Sequence, residues 1–241
     1  MLKSLIPNRE RGLTRNIIEG TILGLFLTGL SFLVGMQFGW IDEIIWLEAF
    51  AVLTSYACTY LCVMERRANY IIGVITTAAY CYLFFQWGLF ASMAVNAYLV
   101  FALIYGWFRW KADDKTIPVR NVELKWIPVY LLVVAVAYGG IVLITTSLGA
   151  TLPLADSVIL IGTLMAQFLL DYKRIETWYV WAIVNVFAIY VYFSAGLALA
   201  GFQYIFFLGN TVYGWYMWRK SMQQPKPIEV ETPANVVTAT A

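Results

Sequence analysis

Trp181 and Asn185 stand four residues apart inside the apolar run ETWYVWAIVNVFAIY (176–190), with Trp178 one turn earlier. On a helix those spacings put two indoles and an amide on one face. An amide in hydrocarbon must be hydrogen-bonded, because leaving it unpaired costs on the order of several kcal/mol. It therefore lines a cavity or bridges to another helix. An indole wall beside such an amide suits a flat ring that carries hydrogen-bonding groups. Further on, Gln203, Phe206, Asn210 and Tyr213 recur at helical spacing, a polar and aromatic stripe that should face other helices and not lipid. Asn96, Thr76, Thr77, Thr163 and Gln167 add neutral hydrogen-bonding groups to other apolar stretches. The candidate ligand contacts are thus Trp181, Asn185, Gln203, Asn96, Asn210, Thr77, Gln167 and Trp178, with interhelical packing as the competing reading for each.

The same inventory excludes several chemistries. The chain has no histidine, and Cys58, Cys62 and Cys81 fall inside apolar runs without a CxxC pair. They read as small buried hydrophobes, so neither a zinc site nor a His-based catalytic pair is expected, and no cofactor is implied. Asp171, Glu176, Glu19 and Glu48 lie near the ends of their apolar stretches, and no Lys, Arg, Asp or Glu falls at mid-membrane. A pump coupled to an ion gradient ordinarily needs such a group. Downhill movement of a neutral or singly charged solute is the expectation. A retinal-type Schiff base would need a lysine deep in a helix, whereas Lys220 follows the last apolar stretch. Intramembrane hydrolysis lacks its nucleophile and base, so an enzyme is not expected.

The elements that position these residues follow from composition. Of 241 residues 61% are apolar, 17% aromatic and only 12% charged, about half the charged share of a soluble domain. This is the composition of an integral membrane protein, and no basic stripe suits a nucleic acid. A helix needs about 20 mostly apolar residues to cross a bilayer. Eight stretches qualify: 17–37, 44–64, 69–87, 89–108, 127–148, 154–171, 178–194 and 197–218. Loops of a few residues, with Gly88 and Gly196 as hinges, make consecutive helices antiparallel neighbours. The first sixteen residues are basic, as in a signal peptide, but no small-residue cleavage site follows cleanly, and the segment is read as retained.

Eight spans place all 16 Lys and Arg residues on one side of the membrane. By the positive-inside rule that side, with both termini, is cytoplasmic. Asp42, Glu43 and Asp156 then face outward.

The chain also resembles itself at an offset of 108 residues. YGWFRW (105–110) lies over YGWYMW (213–218), and Tyr82, Phe85, Gly88 and Leu89 lie over Tyr190, Phe193, Gly196 and Leu197. Arg66 falls on Arg174, Glu48 on Asp156, Thr77 on Asn185 and Gly73 on Trp181. The expected fold is an all-α membrane protein with a 3+1+3 transmembrane plan. A basic N-terminus (1–16) and an accessory span (17–37) precede a three-helix unit (44–110). A cytoplasmic linker (111–126) and a connecting helix (127–148) lead to a second, parallel unit (153–218) and a disordered tail (219–241). A central cavity is expected where the units meet.

With W-x-x-x-N at Trp181 and Asn185, NYIIG at 69–73, GLFAS at 88–92 and IYGWFRW at 104–110, the chain resembles the PnuC family of vitamin transporters over about residues 44–218. The resemblance implies uptake of nicotinamide riboside by facilitated diffusion through a SWEET-like fold in the bacterial inner membrane. It also implies homotrimers and trapping of the solute by a cytoplasmic kinase. Relatives of the same fold move thiamine or riboflavin, so those vitamins remain alternatives, as does a binding component without flux of its own. An indole face would hold a cationic pyridinium by about 0.5 to 2 kcal/mol.

Overall fold

A computed structural model describes residues 12–41, 43–86, 90–110, 117–147, 152–194, 196 and 198–223. The expectations for the basic residues Lys3, Arg9 and Arg11, for Asp42, for the Gly88 hinge and for the tail from 224 onward lie outside these residues. Among the described residues the chain is all-helical: α1 Leu13–Gln37, α2 Trp46–Val63, α3 Ala68–Gln86, α4 Phe90–Arg109, α5 Ile127–Ser147, α6 Pro153–Asp171, α7 Thr177–Ser194 and α8 Ala198–Gln223, with a short 3-10 turn at Leu124–Trp126 before α5. Among the described residues six helices are long and apolar enough to cross a membrane, namely α1, α2, α3, α5, α6 and α7, which makes this a multi-pass membrane protein. In α8 the polar residues Gln203, Asn210 and Thr211 and the charged Arg219 and Lys220 dilute the apolar run.

The first triplet, α2–α4, and the second, α6–α8, make the same contacts 108 residues apart. Tyr70 packs edge-on to Trp110 at 5.1 Å in the first, and Trp178 edge-on to Trp218 at 5.3 Å in the second. Each ring lies against a glycine of its neighbouring helix, Tyr70 on Gly106 and Trp178 on Gly214, where a Cβ would collide with the ring. Between triplets, α2 packs on α8 and α4 on α6. The indole N–H of Trp110 donates to the Asp171 carbonyl at 3.2 Å, and that of Trp218 to the Cys62 carbonyl at 3.3 Å. These rings anchor the larger apolar core, at the basic end of the bundle, with Val63, Leu103, Leu170, Ile175 and Met217.

The α2–α3 and α6–α7 turns also match. Helix α2 closes with Glu65 N–H on Cys62 O and Arg66 N–H on Leu61 O, and α6 with Lys173 N–H on Leu170 O and Arg174 N–H on Leu169 O. Both are Schellman ends, in which the residue just past the helix takes a left-handed backbone. Here those residues are Glu65 at φ 54° and Lys173 at φ 49°. Helix α1 ends the same way on Gly39 at φ 67°, the usual residue for the position. Gly196 turns between α7 and α8 at φ 75°, as its sequence position suggests.

Two segments outside the triplets grip these turns. Arg66 Nε donates to Asn16 Oδ1 of α1 at 2.8 Å, and Arg174 donates to the Asn121 carbonyl at 2.8 Å. Residues 119–122 run as a strap along the α6–α7 turn, exchanging backbone hydrogen bonds of 3.1 Å between Arg120 and the Lys173 and Ile175 positions. Val119 is buried in the core beneath. Helix α1 lays Asn16, Gly20, Gly24, Thr28 and Ser31 against α2, small residues that let backbones approach. Gly24 sits so close to the Leu53 carbonyl that a Cβ would stand 2.9 Å from it. Helix α5 packs against α6 and leaves an apolar face outward.

Candidate functional site

Asn185, midway along α7, is 2% exposed and donates through Nδ2 to Thr211 Oγ1 of α8 at 2.9 Å. The Thr211 hydroxyl in turn donates a hydrogen bond to the Phe207 carbonyl, as a helix-interior threonine commonly does. The buried amide thus has the partner that burial in an apolar segment demands. Trp181, one turn before Asn185, is half-buried. Asn210, next to Thr211, is also half-buried, as is Asn96 on α4.

Gln203 bridges the two triplets. From the N-terminal part of α8 its amide lies 3.4 Å from the Tyr80 hydroxyl of α3, and its Nε2 lies 3.5 Å from Ser55 Oγ of α2. Tyr80 in turn stacks on Phe84 at 5.7 Å. These hydrogen bonds are at the long limit for such contacts. An amide, a phenol and a hydroxyl are held within reach of one another without being drawn tight, and all three can also bond a third party. Beside them Tyr56 packs against Phe206 and Phe207 of α8, its hydroxyl 3.1 Å from Ser31 of α1.

The other candidates sit in different surroundings. Thr77 is buried and bonds back to the Gly73 carbonyl at 2.9 Å, which satisfies its hydroxyl within α3. Gln167 Nε2 donates to Asp171 Oδ1 at 2.8 Å, and the same oxygen accepts from the Tyr70 hydroxyl at 2.9 Å. Trp178 belongs to the core at the basic end, 4% exposed, and its indole N–H has no hydrogen-bond acceptor among the described residues. In the first triplet the equivalent Tyr70 reaches Asp171, whereas the residue equivalent to Asp171 on α2 is Val63.

Sequence reasoning passed over Ser55 and Tyr80, which carry no spacing signal of their own and matter only because Gln203 arrives from a helix more than a hundred residues away. It also passed over the buried pair Glu65 and Lys173, 3.0 Å apart. That pair had a signal: the 108-residue offset lays Glu65 on Lys173, and residues at equivalent positions near the axis relating two units meet one another. Among the described residues no cluster of His, Cys, Asp and Glu is placed to hold a metal ion.

An all-helical membrane bundle with buried, neutral hydrogen-bonding side chains between two matched triplets defines the class of solute carriers built from repeats. Residues 45–220 match the family model described as nicotinamide mononucleotide transporter, and the chain belongs to that family. It is 24% identical over 212 residues to the nicotinamide riboside transporter PnuC of Escherichia coli (strain K12), covering 76% of this chain and 88% of that one. It is 26% identical over 155 residues to the riboflavin/roseoflavin transporter RibM of Streptomyces davaonensis, covering 59% and 71%. The crystal structure of the vitamin B3 transporter PnuC matches 88% of this chain and 98% of its own with a TM-score of 0.67 at 21% identity, a likeness of fold. The relatives are transporters, in keeping with the reading against an enzyme.

Proposed function

We propose that the chain takes up nicotinamide riboside by facilitated diffusion, holding it between the two triplets and releasing it on the cytoplasmic side. The observation that carries this reading is Gln203 of one triplet meeting Ser55 and Tyr80 of the other at 3.4 to 3.5 Å, a neutral polar cluster at the seam of a bundle from a transporter family. The nicotinamide group would use Trp181 as its wall and Asn185 for its carboxamide. The ribose hydroxyls would use Gln203, with Asn96, Asn210, Thr77, Gln167 and Trp178 around the path. Kinase trapping in the cytoplasm would keep the solute in.

The transmembrane plan is 3+1+3, with α4 and α8 spanning as well and α5 as the connecting span. Support comes from the equivalent pairs Tyr70–Trp110 and Trp178–Trp218 and from the hairpin packing of α4 on α3 and α8 on α7. A helix of 20 residues such as α4 is about 30 Å long, enough to cross. Both termini lie in the cytoplasm of a bacterial inner membrane, and the chain assembles as a homotrimer.

Purified protein in liposomes tests the function. Radiolabelled nicotinamide riboside should reach equal concentrations on both sides without an ion gradient, and an excess of unlabelled nicotinamide riboside should compete better than thiamine or riboflavin. Stronger competition by riboflavin would transfer the assignment to that vitamin, as the likeness to a riboflavin transporter allows. Ligand retention without flux would make the chain a binding component.

A further inference from the structure

We propose that Glu65 and Lys173 are positioning residues of the transport cycle: a charge pair at the seam between the triplets that closes its basic end and separates when solute leaves there. The proposal rests on the transporter reading above and adds to it the place where the bundle opens.

Three observations converge on the pair. First, its backbone is strained for its side chains. Among the described residues, Glu65 and Lys173 are the non-glycine residues with positive φ, and both occupy a helix-end position where α1 uses glycine. A left-handed backbone is unfavourable for a residue with a Cβ, and such outliers persist where the side chain has a task. Second, the side chains meet. Lys173 is 1% exposed, its Nζ lies 3.0 Å from Glu65 Oε2, and it also sits 4.4 Å from the centre of the Trp110 ring. The two residues are equivalent under the 108-residue offset, so the pair joins the matching turns of the two triplets.

Third, contacts within and across the seam differ in kind. Within each triplet the rings pack on glycine and on one another, Tyr70 on Gly106 and Trp110, Trp178 on Gly214 and Trp218. Across the seam, beside the Trp110–Trp218 ring contact at 6.3 Å, stands a set of polar contacts: two indole N–H groups on helix-end carbonyls, the Tyr70 hydroxyl on Asp171, and the ion pair. Apolar packing lost to water is lost outright. Polar contacts exchange for hydration, and a buried ion pair is close to balanced between its paired, dry state and its separated, wet one. The polar contacts around the ion pair can exchange for water as the seam parts, which the ring packing within each triplet cannot do.

Cys62 reports on the seam. It is 8% exposed, lies in the same core as Trp110 and Trp218, and accepts the Trp218 indole on its carbonyl. In a C58A/C81A background it is the sole thiol. Inside-out membrane vesicles would be treated with a charged, membrane-impermeant maleimide while nicotinamide riboside is supplied. The rate of Cys62 labelling is expected to rise at least tenfold in E65Q and in K173M. It should return to within threefold of the parent in the exchanged pair E65K/K173E, because the two positions are equivalent. Should the single variants fail to insert, E65D replaces them with acceleration still expected. A purely structural staple would lower thermal stability without changing labelling of the folded fraction, and that result overturns the proposal. So does an exchanged pair that labels as fast as the single variants. Parent vesicles without nicotinamide riboside uptake would count against the transporter reading instead, since the labelling comparison needs no flux.

Discussion

The Asn185 amide and the Thr211 hydroxyl, 26 residues apart in the chain, meet at 2.9 Å and tie α7 to α8 midway through the bundle. The bond satisfies a group that the apolar segment could not leave alone, yet Asn185 keeps its carbonyl oxygen for another partner. Asn185→Ala is expected to weaken nicotinamide riboside binding at least tenfold by calorimetry in detergent, with the protein still folded. Thr211→Val keeps the shape and orphans the amide, which costs about 1 to 3 kcal/mol. Its thermal midpoint should fall further than that of Asn185→Ala.

Trp181 is half-buried one turn from Asn185, and the proposed site uses its indole as the wall for the ring. Trp181→Ala should lower affinity by roughly five- to thirtyfold, the scale of a cation–π contact of about 1 to 2 kcal/mol. Trp181→Phe should recover part of it. Unchanged affinity in both would make Trp181 a packing residue.

The seam cluster makes a separable prediction. Removing the Tyr80 hydroxyl with Tyr80→Phe, or the Gln203 amide with Gln203→Leu, should raise the concentration for half-maximal uptake several-fold and leave thermal stability within about 1 kcal/mol. Hydrogen bonds as long as 3.4 Å contribute less than the ordinary net value of about 1 kcal/mol. Competition uptake in liposomes, beside a melting curve of the same sample, checks both halves.

Glycines distinguish packing from lipid exposure. Gly214→Ala and Gly106→Ala drive a methyl group into Trp178 and Tyr70, and overpacking of this kind costs about 1 to 3 kcal/mol. Gly139→Ala on α5 has nothing within 4 Å of the new carbon and should be neutral or slightly stabilising. Thermal unfolding of the three variants in one detergent gives the comparison.

The accessory helix is joined to the bundle by a buried polar contact that can be cut alone. Tyr56→Phe removes the partner of Ser31 Oγ at 3.1 Å and should cost about 1 kcal/mol without moving the ring from Phe206 and Phe207. A larger drop in uptake than in stability would tie α1 to the transport cycle through Tyr56.

Much of this molecule is written in one dimension. Apolar runs of about 20 residues must become helices in lipid, since only a helix satisfies its own backbone there, so the eight helices fall within a few residues of the stretches read from sequence. The 108-residue offset already paired Tyr82 with Tyr190 and YGWFRW with YGWYMW, because units of like packing keep like residues. The need of Asn185 for a partner was also legible, from the cost of a bare amide in hydrocarbon.

Which partner it takes was not. Thr211 for Asn185, Ser55 and Tyr80 for Gln203, and Lys173 for Glu65 lie on other helices or turns, 26 to 148 residues away. Side-chain spacing within one helix states which face is polar, but how neighbouring helices are rotated and how deep each one sits decide what that face meets. Those settings come from ridges, glycine notches and helix ends packing together. The tertiary structure alone therefore placed Trp178 in the core at the basic end, left Trp181 half-buried, and brought the opposite charges of Glu65 and Lys173 into contact.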